Sequence, residues 1–309
     1  MILSASRRTD IPCYYSEWFM NRLKAGFVLT RNPMNHSQVS KINLSPEVID
    51  CIVFWTKDAK NILPSLNSIK DLGYPYYFQY TITPYNNMIE KNIRDKNEII
   101  NMFIELSHLI GKERVLWRYD PIIINDNLTI DYHKEQFGLL CERLCDYTES
   151  VTISFVDGYK KIKTDIVREI TIEEMLELSS YIAKTAKNAG LAVKSCSERT
   201  DLAIYGIERS SCIDKSVIEK ICGYGLVTKR DKNQREFCEC IESIDIGTYN
   251  SCSNGCTYCY ANKSENTAAA NLKKHNIHAD MLNDSVTFND KVIVRKVKSF
   301  KKSQLEMKP

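Results

Sequence analysis

The chain has 309 residues, a formal net charge of +3 and 43% hydrophobic residues. That is enough apolar sequence for a sizeable core, and so small a charge excess argues against a dedicated binder of nucleic acid or anionic membrane. No stretch approaches the roughly 20 apolar residues that span a bilayer, and the N-terminal apolar run before Arg7 and Arg8 is too short for a signal peptide. We expect a cytoplasmic protein without membrane partners.

In chain order, β-rich apolar runs and helical periodicity alternate. A strand is predicted at Ile2–Ser6 and a helix over Tyr15–Ala25. Phe27–Thr30 and Ser40–Leu44 read as a hairpin or as one more strand of the main sheet. Strands follow at Cys51–Lys57 and Tyr76–Thr83, a helix at Asn97–Ile110, a strand at Val115–Ile124 and a helix at Tyr132–Tyr147. A strand at Val151–Val156 precedes a helix at Ile172–Ala189, which carries a capping box in Thr171 and Glu174 and a stop at Gly190. Leu191–Ser195, the helix Lys215–Cys222 and the strand Ile244–Tyr249 complete the series.

This rhythm predicts an α/β fold with parallel strands joined by crossover helices: a complete or partial (β/α) TIM-like barrel over 1–260. A doubly wound open sheet is the alternative, weakened because no Gly-x-Gly-x-x-Gly follows a strand. The rhythm fades after about Ala261, so 261–309 reads as a loop-rich extension over the barrel. Its basic run, Arg295, Lys296, Lys298, Lys301 and Lys302, reads as a solvated segment.

In barrels the site lies at the C-terminal ends of the strands. Those ends are polar here: Arg7, Arg8, Thr9 and Asp10; Lys57; Arg118 and Asp120; Ser154 and Asp157; Glu198; Asp245 and Tyr249. Arg118, Asp120 and Tyr249 are candidate catalytic residues, with an Arg118–Asp120 ion pair as the purely structural alternative. Tyrosines near strand ends, among them Tyr85, Tyr159 and Tyr260, read mostly as core with a hydroxyl at the rim.

Twelve cysteines in a reducing compartment need an explanation other than disulfides. Cys13, Cys51, Cys141 and Cys145 are scattered and read as small hydrophobes. The other eight fall between Cys196 and Cys259. Cys252-Ser-Asn-Gly-Cys256-Thr-Tyr-Cys259 places three thiols in one short loop, with Gly255 for the backbone reversal. Soft thiolates select zinc or iron–sulfur. Zinc would need a fourth ligand at a familiar spacing, and Cys238-x-Cys240, His275 and His278 supply none. We therefore expect a [4Fe–4S] cluster on Cys252, Cys256 and Cys259. Cys196, Cys212, Cys238 and Cys240, with Cys222 as a spare, form a candidate second cluster or a set of reduced structural thiols.

The C-x3-C-x2-C loop with Tyr258 before its last cysteine resembles that of the radical S-adenosylmethionine (SAM) superfamily, and its flanks Tyr249-Asn-Ser-Cys252 and Cys259-Tyr-Ala resemble the spore photoproduct lyase branch. Nearly the whole chain is similar to a bacterial family, domain-of-unknown-function family 1848. The likeness lies in Ser4-Ala-Ser-Arg-Arg-Thr-Asp-Ile-Pro12, Phe54-Trp-Thr-Lys57, Trp117-Arg-Tyr-Asp-Pro121, Ser154-Phe-Val-Asp157 and Asp231-Lys-Asn-Gln-Arg235 through Ala261. The superfamily resemblance implies SAM chelated at an open iron, one-electron cleavage to a 5′-deoxyadenosyl radical, and hydrogen abstraction from a small-molecule substrate. It implies an electron donor such as flavodoxin or ferredoxin. It also implies cofactor contacts from Tyr258, Thr9, Asp10, Ser154 and Glu198.

The superfamily places its cysteine loop after the first strand, whereas here the loop follows the last, which implies a circular permutation. The superfamily's Gly-Gly-Glu-like segment is replaced by Arg7-Arg8-Thr9-Asp10. Two other functions are open: an iron–sulfur electron-transfer or sensing protein without SAM, and a nucleic-acid repair enzyme of the photoproduct-lyase type, for which only the basic tail speaks.

Overall fold

The structure is a computed structural model that describes residues 1–156, 168–235 and 237–302. Asp157 and Tyr159 lie outside the described residues. Eight strands form one parallel sheet: β1 (Ile2–Ala5), β4 (Cys51–Thr56), β5 (Tyr76–Thr81), β6 (Val115–Ile122), β7 (Ser150–Phe155), β8 (Ala192–Cys196), β9 (Glu208–Ser210) and β10 (Ile244–Asp245). Their spatial order is β10-β1-β4-β5-β6-β7-β8-β9. The order climbs without reversing, whereas a doubly wound sheet reverses at its switch point. Among the described residues no ladder joins β9 to β10.

The central strands are buried on both faces, as parallel strands under helices must be; β7 is buried at every position, while the edge strand β9 is exposed at two of its three. Helices α1 (Ile11–Tyr14), α2 (Ser16–Ala25), α3 (Leu66–Asp71), α4 (Lys96–Ile110), α5 (Ile130–Leu144), α6 (Ile172–Asn188) and α7 (Lys215–Cys222) connect them. Side chains close their first turns: Asp95 for α4, Thr129 for α5, Asp214 for α7, and the Thr171–Glu174 box for α6. Aromatic side chains fill the core between layers. Phe54 stacks on Phe78 with ring centres 4.8 Å apart, and Trp117 stacks on Phe137 at 5.3 Å.

Three expectations change. The hairpin β2 (Phe27–Arg31) and β3 (Gln38–Asn43) does not join the main sheet; it pairs antiparallel in a separate sheet, where β11 (Lys291–Val294) runs parallel to β3. The eighth strand of the main sheet is instead β9, too short to leave an alternation signal. The strand expected at Ile244–Tyr249 ends at Asp245, because the Asp245 carboxylate accepts the Gly247 N–H at 2.9 Å and turns the chain. A side chain at Gly247 would collide with Ser6, so only glycine permits this approach.

Residues 261–302 also carry more structure than expected: α8 (Glu265–Lys274) and β11. This segment crosses back over the N-terminal elements. Trp18 Nε1 donates to the Ala279 carbonyl at 2.8 Å, and Arg22 pairs with Asp280. The basic tail follows the body, with backbone bonds from Val227 to Phe300 (2.7 Å) and from Lys302 to Gly225 (2.8 Å). No helix among the described residues is long and apolar enough to cross a membrane.

Candidate functional site

A cavity of about 410 Å³ opens at the C-terminal ends of the parallel strands. Its wall contains the ends of β1, β4, β6, β7 and β8, and seven cysteines: Cys196, Cys212, Cys238, Cys240, Cys252, Cys256 and Cys259. The strand ends and the cysteine loop, far apart in sequence, thus form one site.

The seam between β10 and β1 is built on Asp245. Its carboxylate accepts the Ser4 and Ser6 hydroxyls, both at 2.7 Å, and the Arg7 N–H at 2.8 Å. Asp10 does the same for the next layer. It accepts from the Cys13 N–H (3.0 Å), the Thr56 hydroxyl (2.8 Å), the Lys57 N–H (2.9 Å) and Asn254 Nδ2 (3.1 Å). Burial pushes its carboxyl up to about 6, although these donors pull the other way. Asn254 lies inside the cysteine loop, and its amide oxygen accepts the Tyr14 hydroxyl at 2.9 Å. Asp10 therefore fixes the loop against β1 and β4. Its acceptor positions are spent on the protein, so it serves as a positioning residue.

The opposite side of the loop is held by the segment between β5 and α4. The Thr257 N–H donates to the Ile89 carbonyl (2.9 Å), the Asn92 N–H to the Asn254 carbonyl (3.1 Å), and Asn92 Nδ2 to the Ser253 carbonyl (2.8 Å). Gly255 sits at φ +66, and a Cβ there would stand 2.9 Å from Asn92 Nδ2. Glu90, 1% exposed, anchors this contact. It accepts from Lys57 Nζ (2.7 Å), Lys96 Nζ (2.5 Å), the Thr83 hydroxyl (2.7 Å) and the Tyr258 hydroxyl. Burial opposes its ionisation, but the two ammonium groups outweigh burial and hold the carboxyl down at about 2. Lys57 Nζ also lies 5.7 Å from the centre of the Tyr258 ring.

Within this frame Cys252, Cys256 and Cys259 are each half-buried and line the cavity. Burial raises the Cys252 thiol well above its usual range and Cys256 up to about 12, with Lys57 working against the latter. Their ionisation would accompany metal binding, since the ligand is the thiolate. The Ala261 N–H points at Cys259 Sγ at 3.4 Å. Among the described residues no group of three or more His, Cys, Asp or Glu is arranged to hold a single metal ion. The softness of the three loop thiols disfavours magnesium and calcium.

The floor of the cavity carries Arg118, 5% exposed. Its guanidinium pairs with Asp120, donates to Gln79 Oε1 at 3.3 Å, and donates to Cys212 Sγ at 3.0 Å. The Ser154 hydroxyl bonds the other Asp120 oxygen. The expected ion pair forms, and it lies in the cavity wall. Cys212 Sγ lies 3.2 Å from Cys196 Sγ. Hydrogen bonds from Cys196 and Cys240 hold the Cys212 thiol below its usual range against burial, with the Arg118 and Arg7 charges assisting.

Not every expected residue reaches the cavity. Tyr249 is 40% exposed and lies under Arg8, 5.2 Å from its guanidinium carbon. Glu198 caps the end of β7, accepting the Phe155 N–H at 2.8 Å. Cys222 goes to the opposite end of the sheet and donates to the Asp50 carbonyl at 2.9 Å. His275 bonds the Leu282 carbonyl at 2.6 Å and packs on Tyr15. The basic tail contributes no lining residue.

Thr9, 5% exposed, lines the cavity with its hydroxyl unpartnered. Among the described residues Arg8 makes no ion pair; its guanidinium donates to the Gly247 carbonyl at 3.5 Å and lies over the Tyr249 ring. Glu90 is the residue that the sequence does not reveal. It lies in an irregular segment without periodicity or motif.

The fold and the site define a parallel α/β protein with a thiol-lined cavity at the carboxyl edge of its sheet. Within that class the chain belongs to the family of the domain of unknown function DUF1848, whose model matches residues 2–261. No curated protein matches the chain.

Proposed function

We propose that the chain is an iron–sulfur enzyme of the radical SAM type, with a [4Fe–4S] cluster on Cys252, Cys256 and Cys259 and a small-molecule substrate in the cavity. One observation carries the reading: β10, which delivers the cysteine loop, is the parallel neighbour of β1. Counted from β10, the sheet begins with the strand that bears the loop and continues in order to β9. That order is the one a radical SAM barrel would have if its chain were cut between its first two strands.

A [4Fe–4S] cluster with SAM supplies, when bound, a carbon radical able to abstract hydrogen. The chain's own residues bind and orient. The unpartnered Thr9 hydroxyl, just past the end of β1, and the Arg8 guanidinium, without an ion-pair partner among the described residues, are suited to the methionyl end of SAM. Tyr258, fixed by Glu90 and Lys57, would stand beside such a cluster. Arg118, Asp120 and Ser154 form a rigid polar floor for substrate. A flavodoxin or ferredoxin would supply electrons.

Anaerobic reconstitution tests the reading. Reduced protein with SAM should release 5′-deoxyadenosine and methionine, and Cys256→Ala should abolish both the loop cluster and the release. A reconstituted cluster with no 5′-deoxyadenosine would favour the second reading, an iron–sulfur electron-transfer or sensing protein. That reading is favoured by Arg7-Arg8-Thr9-Asp10, where Asp10 is already fully bonded and offers SAM no free carboxylate.

A further inference from the structure

Cys196 and Cys212 reach the cavity wall from neighbouring strands. Cys196 is the last residue of β8 and pairs with Ser210 of β9 in the parallel ladder, and Cys212 follows two residues after Ser210. Their sulfurs lie 3.2 Å apart. The backbone beneath is fixed, since Tyr77 and Gln79 both donate to the Cys212 carbonyl at 2.8 Å. Arg118 donates to Cys212 Sγ at 3.0 Å. Cys240 lies deeper than either, 1% exposed, and its sulfur accepts the Ile213 N–H at 3.4 Å.

Sulfurs in contact leave no space for iron between them, and among the described residues no group is arranged around a metal. The second cluster considered from the sequence therefore does not fit this wall, and it gives way to the alternative of reduced thiols. Packing alone does not explain those thiols. An apolar side chain would fill the space beside Cys196 without setting a guanidinium against the second sulfur. Two sulfurs within a side-chain rotation of bonding distance, one of them facing a fixed cation, are the parts of a dithiol that exchanges with disulfides.

We propose that Cys196 and Cys212 form a redox-active dithiol whose substrate is a small organic disulfide entering the cavity. The Cys212 sulfur attacks one sulfur of that disulfide, whose S–S bond breaks and releases one thiol. The Cys196 sulfur then attacks Cys212 Sγ and expels the second thiol, leaving a Cys196–Cys212 disulfide. The protein pair gives up two electrons, and its two protons pass to the leaving thiols, so the incoming disulfide is reduced to two thiols and no further reactant is needed. Cys212 is the attacking sulfur, because Arg118 faces it and hydrogen bonds from Cys196 and Cys240 hold its thiol below the usual range. A dithiol donor reopens the bond. The site uses none of the loop cysteines, so it is independent of whether the loop binds a cluster or SAM.

Anaerobic incubation of the reduced, unaltered protein with 2-hydroxyethyl disulfide tests it, followed by alkylation and digestion without reductant. Peptides carrying Cys196 and Cys212 should be recovered joined in most chains, and separate after treatment with dithiothreitol. This measurement needs no variant to fold. Cys196→Ser should halt the exchange at a mercaptoethanol adduct on Cys212, and Cys212→Ser should leave Cys196 alkylated as a free thiol. Recovery of both cysteines as alkylated free thiols in the unaltered protein, or of either joined to another cysteine, would overturn the proposal. Release of 5′-deoxyadenosine is read separately, so the radical reading and this one fail by different measurements.

Discussion

Gly255 and Asp10 show how single residues set the site. At φ +66, with Asn92 pressed against it, Gly255 admits no side chain. Gly255→Ala should leave the fold intact but lower iron incorporation several-fold under limiting iron, measured as iron per chain. Asp10→Asn puts an amide N–H₂ among donors that now share a carboxylate. It should destabilise the protein by about 2 kcal/mol in urea unfolding and also lower iron incorporation. Unchanged loading would show that Asp10 does not position the loop. The short loop of Cys252, Cys256 and Cys259 around Gly255 was legible from its spacing alone, and all three thiols stand on the cavity wall. The roles of Asp10 and Glu90 were not, since each acts through partners remote in sequence.

Elements were legible where periodicity ran long. The helices α4, α5 and α6 and the strands β4 to β8 stand within a few residues of their expected places. The short β9 and the truncated β10 were not, because tertiary contacts, not local pattern, decide their length. The packing of α5 on β6 makes a pH prediction. His133 of α5 accepts the Tyr119 hydroxyl at Nδ1 (2.8 Å), and its Nε2–H donates to the Ile123 carbonyl (2.8 Å). Burial lowers its pKa from 6.5 to about 4. The unfolded chain binds the extra proton first, so stability falls as pH drops through that window, by up to about 3 kcal/mol. The urea midpoint of His133→Gln should lack this segment of the acid slope.

At the scale of the molecule, the family match ends at residue 261, yet the following segment completes the fold. Met281 packs with Leu29 and Val39, and Leu282 joins the main core. Burying those two side chains contributes about 3–6 kcal/mol, and β11 covers an edge of β3 that would otherwise be open. Deleting residues 262–302 should therefore lower Tm sharply or cause aggregation. A soluble truncated protein of unchanged Tm would refute this.

The seam between β10 and β1 also imposes an order in time. Asp245 meets Ser4 across 241 positions of sequence, so on the ribosome the first strand must remain at an open edge until nearly the whole sheet has emerged. The cysteine loop is then the last part of the cavity wall to arrive, clasping the two ends of the sheet together. Closure of the sheet and completion of the cavity wall thus become one event.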